Sequence, residues 1–155
     1  GMVASAVQEK GEEGGLCAVI APTADRARQL AELLGARTTA REDGGEPYRQ
    51  VLQLGKGTPL PSKGVVLLDV ALAKGLEFDN VIVFDVVDGR FPNFHNANIK
   101  SLDEEDARKL YVAITRARKR LFISVSTTRL RYDGTTTALQ PSRFLKPIAG
   151  KMQQL

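Results

Sequence analysis

The run Arg108-Lys109-Leu110-Tyr111-Val112-Ala113-Ile114-Thr115-Arg116-Ala117-Arg118 places a group of basic residues at the end of a helix-like pattern. An arginine fixed on a rigid element is the residue type that stabilises charge on a transferring phosphoryl group from across an interface. Arg116 is the candidate for that chemistry. Arg108, Val112 and Arg116 are spaced by four and lie off the apolar stripe Ala107, Leu110, Tyr111 and Ile114. At about 100° per residue, a helix persisting to Arg116 points it roughly opposite the core. A second group, Ala73-Lys74-Gly75-Leu76-Glu77-Phe78, falls between two strand-like runs. Parallel sheets present ligand-binding loops at strand carboxyl ends, and this segment is expected there. Gly75 permits close backbone approach, Lys74 suits a phosphate and Glu77 suits a ribose hydroxyl. Both groups also fit a plainer reading, as a solvated basic helix face and a charged turn.

The phosphate-cradling pattern G-x-x-x-x-G-K-[ST] is absent, and Gly55-Lys56-Gly57-Thr58 reads as a turn. Independent ATP hydrolysis is therefore not expected. Cys17 and His95 are the only residues of their types. They allow no disulfide framework and no cysteine-based zinc site, and no metal ligands are assigned. Cys17, within the apolar run from Leu16 to Ile20, reads as a small buried hydrophobe. His95, in Asn93-Phe94-His95-Asn96, reads as a loop residue without a catalytic part.

The chain has 155 residues, 43% hydrophobic and 26% charged, the balance of one soluble domain large enough to bury a core without metal or disulfide. Its net charge of +4 does not by itself predict nucleic-acid binding. The distribution is more telling, since the acidic block from Asp103 to Asp106 directly precedes the basic run. No apolar run reaches the roughly 20 residues that span a bilayer, and the first residues lack a signal peptide's apolar centre, so a cytoplasmic setting is expected. Gly1-Met2 reads as an expression scar and residues 1–15 as a flexible lead-in.

Leu16 to Ala21 predicts a buried strand ended by Pro22. Thr23 then caps a helix with Ala27, Leu30, Ala31 and Leu34 on one face and Gly35 as its stop. Tyr48 to Leu54 predicts one strand. Gly64 to Asp69 and Val81 to Phe84, both continuous and β-branched, predict central strands expected to be sheet neighbours. Asp88-Gly89 marks a turn and residues 90–100 a surface loop. Ser101-Leu102-Asp103-Glu104 predicts a capping box opening the next helix. Leu121 to Val125 predicts a last buried strand, and Pro141 to Leu145 a short terminal helix. The alternation indicates an α/β domain.

Two segments, AKGLEFDNVIV (73–83) and RKLYVAITRARKRLFI (108–123), resemble the fifth and sixth motifs of UvrD/Rep-type superfamily 1 DNA helicases, in the expected order. AVIAPTADRARQL (18–30) looks like that family's strand-helix opening and PSRFL (141–145) like its closing segment. The resemblance implies a second RecA-like motor domain over residues 16–148, followed by a tail at 149–155. Its fold would be a three-layer, P-loop-NTPase-like α/β domain with a mostly parallel sheet flanked by helices, lacking its own P-loop. In the family, ATP with Mg2+ lies between two such domains, and the missing N-terminal one brings the phosphate loop and catalytic carboxylate. Carried over by position, Arg116 would be the catalytic arginine finger at the γ-phosphate and Glu77 the ribose contact. Lys74 with Gly75 would form the loop coupling nucleotide to nucleic acid, and Thr115 would support the arrangement. Arg108 and Arg118 are weaker candidates for nucleic-acid contact or coupling.

The resemblance also implies the partners: the N-terminal RecA-like domain and single-stranded DNA or RNA, with no membrane. The isolated chain would be inactive. The phosphate-loop half, the aromatic-arginine motif that stacks on adenine and the accessory domain inserted before the fifth motif are missing. Ala71 stands where UvrD-like members often have a histidine, which leans toward the helicase IV or HelD-like branch. That branch supplies an alternative: a regulatory module acting on RNA polymerase or another protein partner. A third reading is an inactive domain kept for its sheet, against which the intact Lys74, Glu77 and Arg116 argue.

Overall fold

The computed structural model describes residues 15–35, 51–96 and 98–153. Residues 1–14 of the expected lead-in at 1–15 lie outside them. The centre is β1 (Leu16–Ala21), buried at every position because both faces of this strand are apolar. Thr23 accepts from the Arg26 N–H and starts α1 (Ala24–Leu34), which Gly35 stops in the left-handed region at φ 60°. β2 (Val51–Gln53) is a shorter part of the expected strand, whose first residues lie outside the described ones. β3 (Gly64–Asp69) runs into the single turn α2 (Val70–Ala73), capped by the Asp69 carboxylate accepting from the Leu72 N–H at 2.8 Å. β4 (Phe78–Val83), α3 (Lys100–Ile114) and β5 (Ala117–Ile123) follow. The hairpin of β6 (Thr128–Leu130) and β7 (Thr136–Ala138) comes next, and then single 3-10 turns at Arg143–Leu145 and Ala149–Lys151, the second within the expected tail.

The five-stranded sheet has the order β2-β3-β1-β4-β5, with every pairing parallel. It is the α/β fold expected, with helices on both faces. On one face α2, α3 and the Arg143–Leu145 turn cover Ala18, Ile20, Val66, Leu68, Val81 and Val83. On the other, Leu30 and Ala31 of α1 cover Cys17, Val19, Val65, Leu67 and Ile82. Burial pushes the Cys17 thiol up to about 11, opposed by the charge of Arg120, so it is an inert core residue. No helix among the described residues is long and apolar enough to cross a membrane.

Four local expectations change. β3 and β4 are not neighbours, because β1 lies between them and α2 carries the chain across it; adjacency in sequence does not fix adjacency in a parallel sheet. β5 begins four residues before Leu121 and is exposed over Arg118 to Leu121, because it is the edge strand. α3 starts at Lys100 with Ile99 in the cap position and no side-chain cap bond, so Ser101 is inside the helix and no capping box forms. Its buried positions are Asp106, Leu110 and Ala113, which rotates the helix so that Tyr111 faces solvent.

Candidate functional site

The backbone at the amino ends of β4 and β5 brings together the two motif segments. α3 ends at Ile114 with Thr115 as its C-cap, so Arg116 lies in the turn into β5 and not on the helix face the spacing suggested. A β-branched threonine whose hydroxyl donates back to the Tyr111 or Val112 carbonyl (2.9 and 3.1 Å) satisfies carbonyls at the helix end. The Arg116 side chain is half-buried and fully engaged. Its Nε donates to Val112 O at 3.0 Å, Nη1 to Leu76 O at 3.2 Å and Nη2 to Thr115 Oγ1 at 3.1 Å. The Phe78 N–H donates to Arg116 O at 2.9 Å, tying the same two segments through the main chain.

Gly75, at φ 82°, makes the turn that lets Leu76 point its carbonyl at Arg116. Glu77 then stands at the amino end of β4, not at a strand carboxyl end, and its carboxylate accepts from Arg118 Nε at 3.0 Å. Both side chains are more than half exposed, so the pair contributes little stability. Thr115, Arg116, Arg118, Glu77 and the Gly75 turn therefore converge.

Lys74 and Arg108 do not join this cluster. They line a groove of about 570 Å³ outside the carboxyl ends of β1 and β3, bounded by Thr23, Ala71, Arg90 and Asn93. That is where open parallel sheets receive ligands. Lys109 is spent on Glu105 at 2.9 Å and Asp106 at 3.2 Å, and Asp69 on its cap, whereas Lys74 and Arg108 have no ion pair among the described residues. The groove therefore offers two uncommitted cations.

The wall of the groove is fixed by Asp106. Burial works against its charge, but the Asn93 N–H at 2.8 Å, the Asn96 amide at 2.9 Å and Lys109 outweigh it, holding the carboxyl below its ordinary range. A lowered folded pKa makes this stabilisation fully present above the unfolded value of about 3.9 and lost as pH falls through the folded value. Asp106→Asn is therefore expected to be less stable than wild type near neutrality, with the gap closing as pH falls below about 4; melting curves from pH 6 to pH 3 check it.

Sequence reading missed the β6–β7 hairpin. Its turn, Arg131-Tyr132-Asp133-Gly134, is closed by the Gly134 N–H donating to Arg131 O at 3.1 Å, with Gly134 at φ 80°. The Asp133-Gly134 pair was a legible hairpin signal. The turn leaves Tyr132 wholly in solvent, above a concavity lined by Arg129 and Arg131. An exposed aromatic flanked by arginines has the make-up of surfaces on which bases stack in single-strand binders.

The UvrD-like helicase C-terminal domain family matches residues 51–128, from β2 to the start of β6. This chain belongs to the UvrD-like helicase C-terminal domain family. It is 45% identical over 89 residues to the ATP-dependent DNA helicase PcrA of Staphylococcus epidermidis, covering 55% of this chain and 12% of that protein. It is 40% identical over 86 residues to the ATP-dependent DNA helicase Rep of Buchnera aphidicola, covering 56% and 13%. Against DNA helicase II of Haemophilus influenzae it is 33% identical over 151 residues, covering 91% and 19%. The chain thus spans between about an eighth and a fifth of the length of these relatives. A crystal structure of the C-terminal domain of a possible DNA helicase from Lactobacillus plantarum superposes with a TM-score of 0.52 at 24% identity, covering 85% of this chain and 62% of that one. This last likeness supports the fold. Both motif segments of the UvrD-like domain fall inside the family match, while Tyr132 lies beyond it.

Proposed function

We propose that this UvrD-like domain is the closing half of an ATP-driven DNA motor. A second RecA-like domain of the same polypeptide holds the phosphates, and this domain brings Arg116 to the γ-phosphate and Glu77 to the ribose. The observation that carries the reading is the junction of Arg116, Leu76 O and Glu77 at one end of the sheet. An arginine whose three contacts among the described residues are a hydroxyl and two carbonyls, with no carboxylate, has no counter-charge there to compete with a phosphate. Because Arg116 holds the carbonyl of Leu76, movement of the finger pulls on the turn containing Gly75 and Lys74, which leads into the groove. That linkage makes Lys74 and Gly75 coupling residues. Thr115 steadies the finger, and Arg118 holds Glu77 in place until nucleotide binds.

Among the described residues no group of three acidic, histidine or cysteine side chains is placed to hold a metal ion. In this reading, as the family resemblance implies, magnesium is held by the other half of the cleft, and this chain contributes charge stabilisation and orientation. Bound ATP supplies the transferable phosphoryl group. Single-stranded DNA would follow the groove past Lys74 and Arg108 and reach the hairpin. The relatives' names favour DNA over RNA, and no observation favours a polymerase-bound regulatory module.

The test is ATP hydrolysis by the full-length protein with and without single-stranded DNA. Stimulation by DNA is expected; hydrolysis indifferent to DNA retires the motor reading. For the hairpin, Tyr132→Ala is expected to weaken single-strand binding by about 1–3 kcal/mol without changing the melting temperature, since the ring packs against nothing. Fluorescence anisotropy with an oligothymidylate measures it.

A further inference from the structure

Just past β4 the backbone of Asp85 adopts φ 62°, the sole non-glycine residue at positive φ among those described. Its side chain is 2% exposed, and a buried carboxylate in a left-handed residue is costly on both counts. What surrounds it is a set of arginines. Asp85 Oδ2 accepts from Arg26 Nη2 at 2.9 Å and pairs with Arg90 Nε at 2.6 Å, while Oδ1 has no partner. Arg26 also donates Nη1 to Gln29. Arg90 is different: among the described residues only its Nε is spent, so both terminal nitrogens are uncommitted there in a side chain that lines the groove.

Arg129, on β6, is exposed and has no ion pair among the described residues. The chain that leaves β7 is tied to the turn carrying Arg90, with the Asp88 N–H donating to Gln140 O at 3.0 Å and Val87 bridging Pro141, which brings the hairpin beside that turn. Burial, and then the like charges of Arg26 and Arg129, pull the Arg90 guanidinium below its ordinary range against the attraction of Asp85. Two arginines thus share one carboxylate, and Arg129 adds a third positive charge to the field at Arg90, an excess of positive charge at this turn. Arg90 lines the groove and Arg129 lines the concavity beside Tyr132, so each surface contributes one of these cations.

We propose that Arg90 and Arg129 form a phosphodiester-binding site linking the groove to the hairpin, with Asp85 as the positioning residue that grips Arg90 side-on and leaves its terminal fork free for phosphate oxygens. The proposal rests on the nucleic-acid reading above and adds a site to it. Side-on anchoring through Nε fixes the guanidinium plane, so the two terminal nitrogens meet a phosphate with little ordering cost left to bear. Without Asp85, Arg90 would be a mobile charge beside two others that repel it.

The measurement is anisotropy of a fluorescein-labelled oligothymidylate titrated with the 155-residue chain across a salt series. Arg90→Met is expected to weaken binding roughly tenfold at low salt and to reduce the slope of log affinity against log salt by about 0.7, one phosphate's worth on a single strand. Arg129→Gln, on an exposed strand where folding is not at stake, is expected to lower the slope by a similar amount. Asp85→Gly is the discriminating variant. Glycine accepts φ 62° freely, so no backbone strain is added and a negative charge is lost, and a thermal melt of the variant accompanies the titration. Charge counting predicts tighter binding; positioning predicts binding several-fold weaker. Tighter or unchanged binding by Asp85→Gly, or wild-type affinity in Arg90→Met, overturns the site. If these variants are neutral while Tyr132→Ala weakens binding, the site fails and the wider reading stands; absence of binding by the wild-type chain removes both.

Discussion

Arg116→Ala in the full-length protein is expected to cut DNA-stimulated ATP hydrolysis by about 10³-fold or more, the loss associated with removing an arginine finger. Single-strand binding without nucleotide should be unchanged, because Arg116 lies at the amino ends of β4 and β5 and the groove at the carboxyl ends of β1 and β3. Truncation also releases the carbonyls of Leu76 and Val112. Both sit where water can reach after the side chain is removed, so the loss of stability should stay within about 1.5 kcal/mol. Arg116→Lys is expected not to rescue the rate. A single ammonium cannot hold Leu76 O, Val112 O and a phosphate in turn with the same planar fork. Steady-state hydrolysis at saturating DNA, beside a thermal melt of each variant, separates the roles. A melt collapsed in step with the rate would make Arg116 a structural residue, and an unchanged rate would sink the finger assignment.

What could be read from the sequence followed from local pattern. The apolar run of β1, the Thr23 cap and the Gly35 stop each rest on residues that act on their own neighbours, and all three stand as expected. The two motif segments, Lys74 to Phe78 and Thr115 to Arg118, are also local, and the family match covers both, while the roles proposed for their residues rest on the resemblance and not on pattern. What failed was non-local. β1 separates β3 from β4 because of how α2 crosses the sheet, and nothing in the two strand sequences encodes that. α3 rotates to bury Asp106 because Asn93 and Asn96 meet it, so a charged residue took a core position that a polarity pattern assigns to solvent. Lys74 left the Glu77 cluster because the chain turns at Gly75. The Asp85 cluster was invisible for a similar reason: Arg26 lies 59 residues from Asp85 and meets the turn of Asp85 and Arg90 only in space.

The largest expected loss of stability comes from Phe78, and it shows why fold and site share residues here. The ring is 1% exposed, at the first position of β4, in the core face covered by α2 and α3. Phe78→Ala removes its burial and leaves a cavity in a rigid layer, at a cost of about 3–5 kcal/mol. Against a total of about 5–15 kcal/mol, that brings the domain close to its unfolding threshold. Urea titration should show a lowered midpoint with an unchanged slope, the mark of lost stability without a changed unfolded state. Leu121→Ala, on the exposed edge strand, is the contrast and should cost under about 1 kcal/mol. Phe78 follows Glu77 directly and its N–H holds Arg116 O, so the ring that anchors β4 also sets where both side chains begin. A milder change, Phe78→Leu, keeps most of the apolar volume and the main-chain bond. Its hydrolysis rate in the full-length protein should therefore fall far less than that of Arg116→Ala; a loss as large would mean that catalysis depends on the exact seating of this junction and not only on the charge of Arg116.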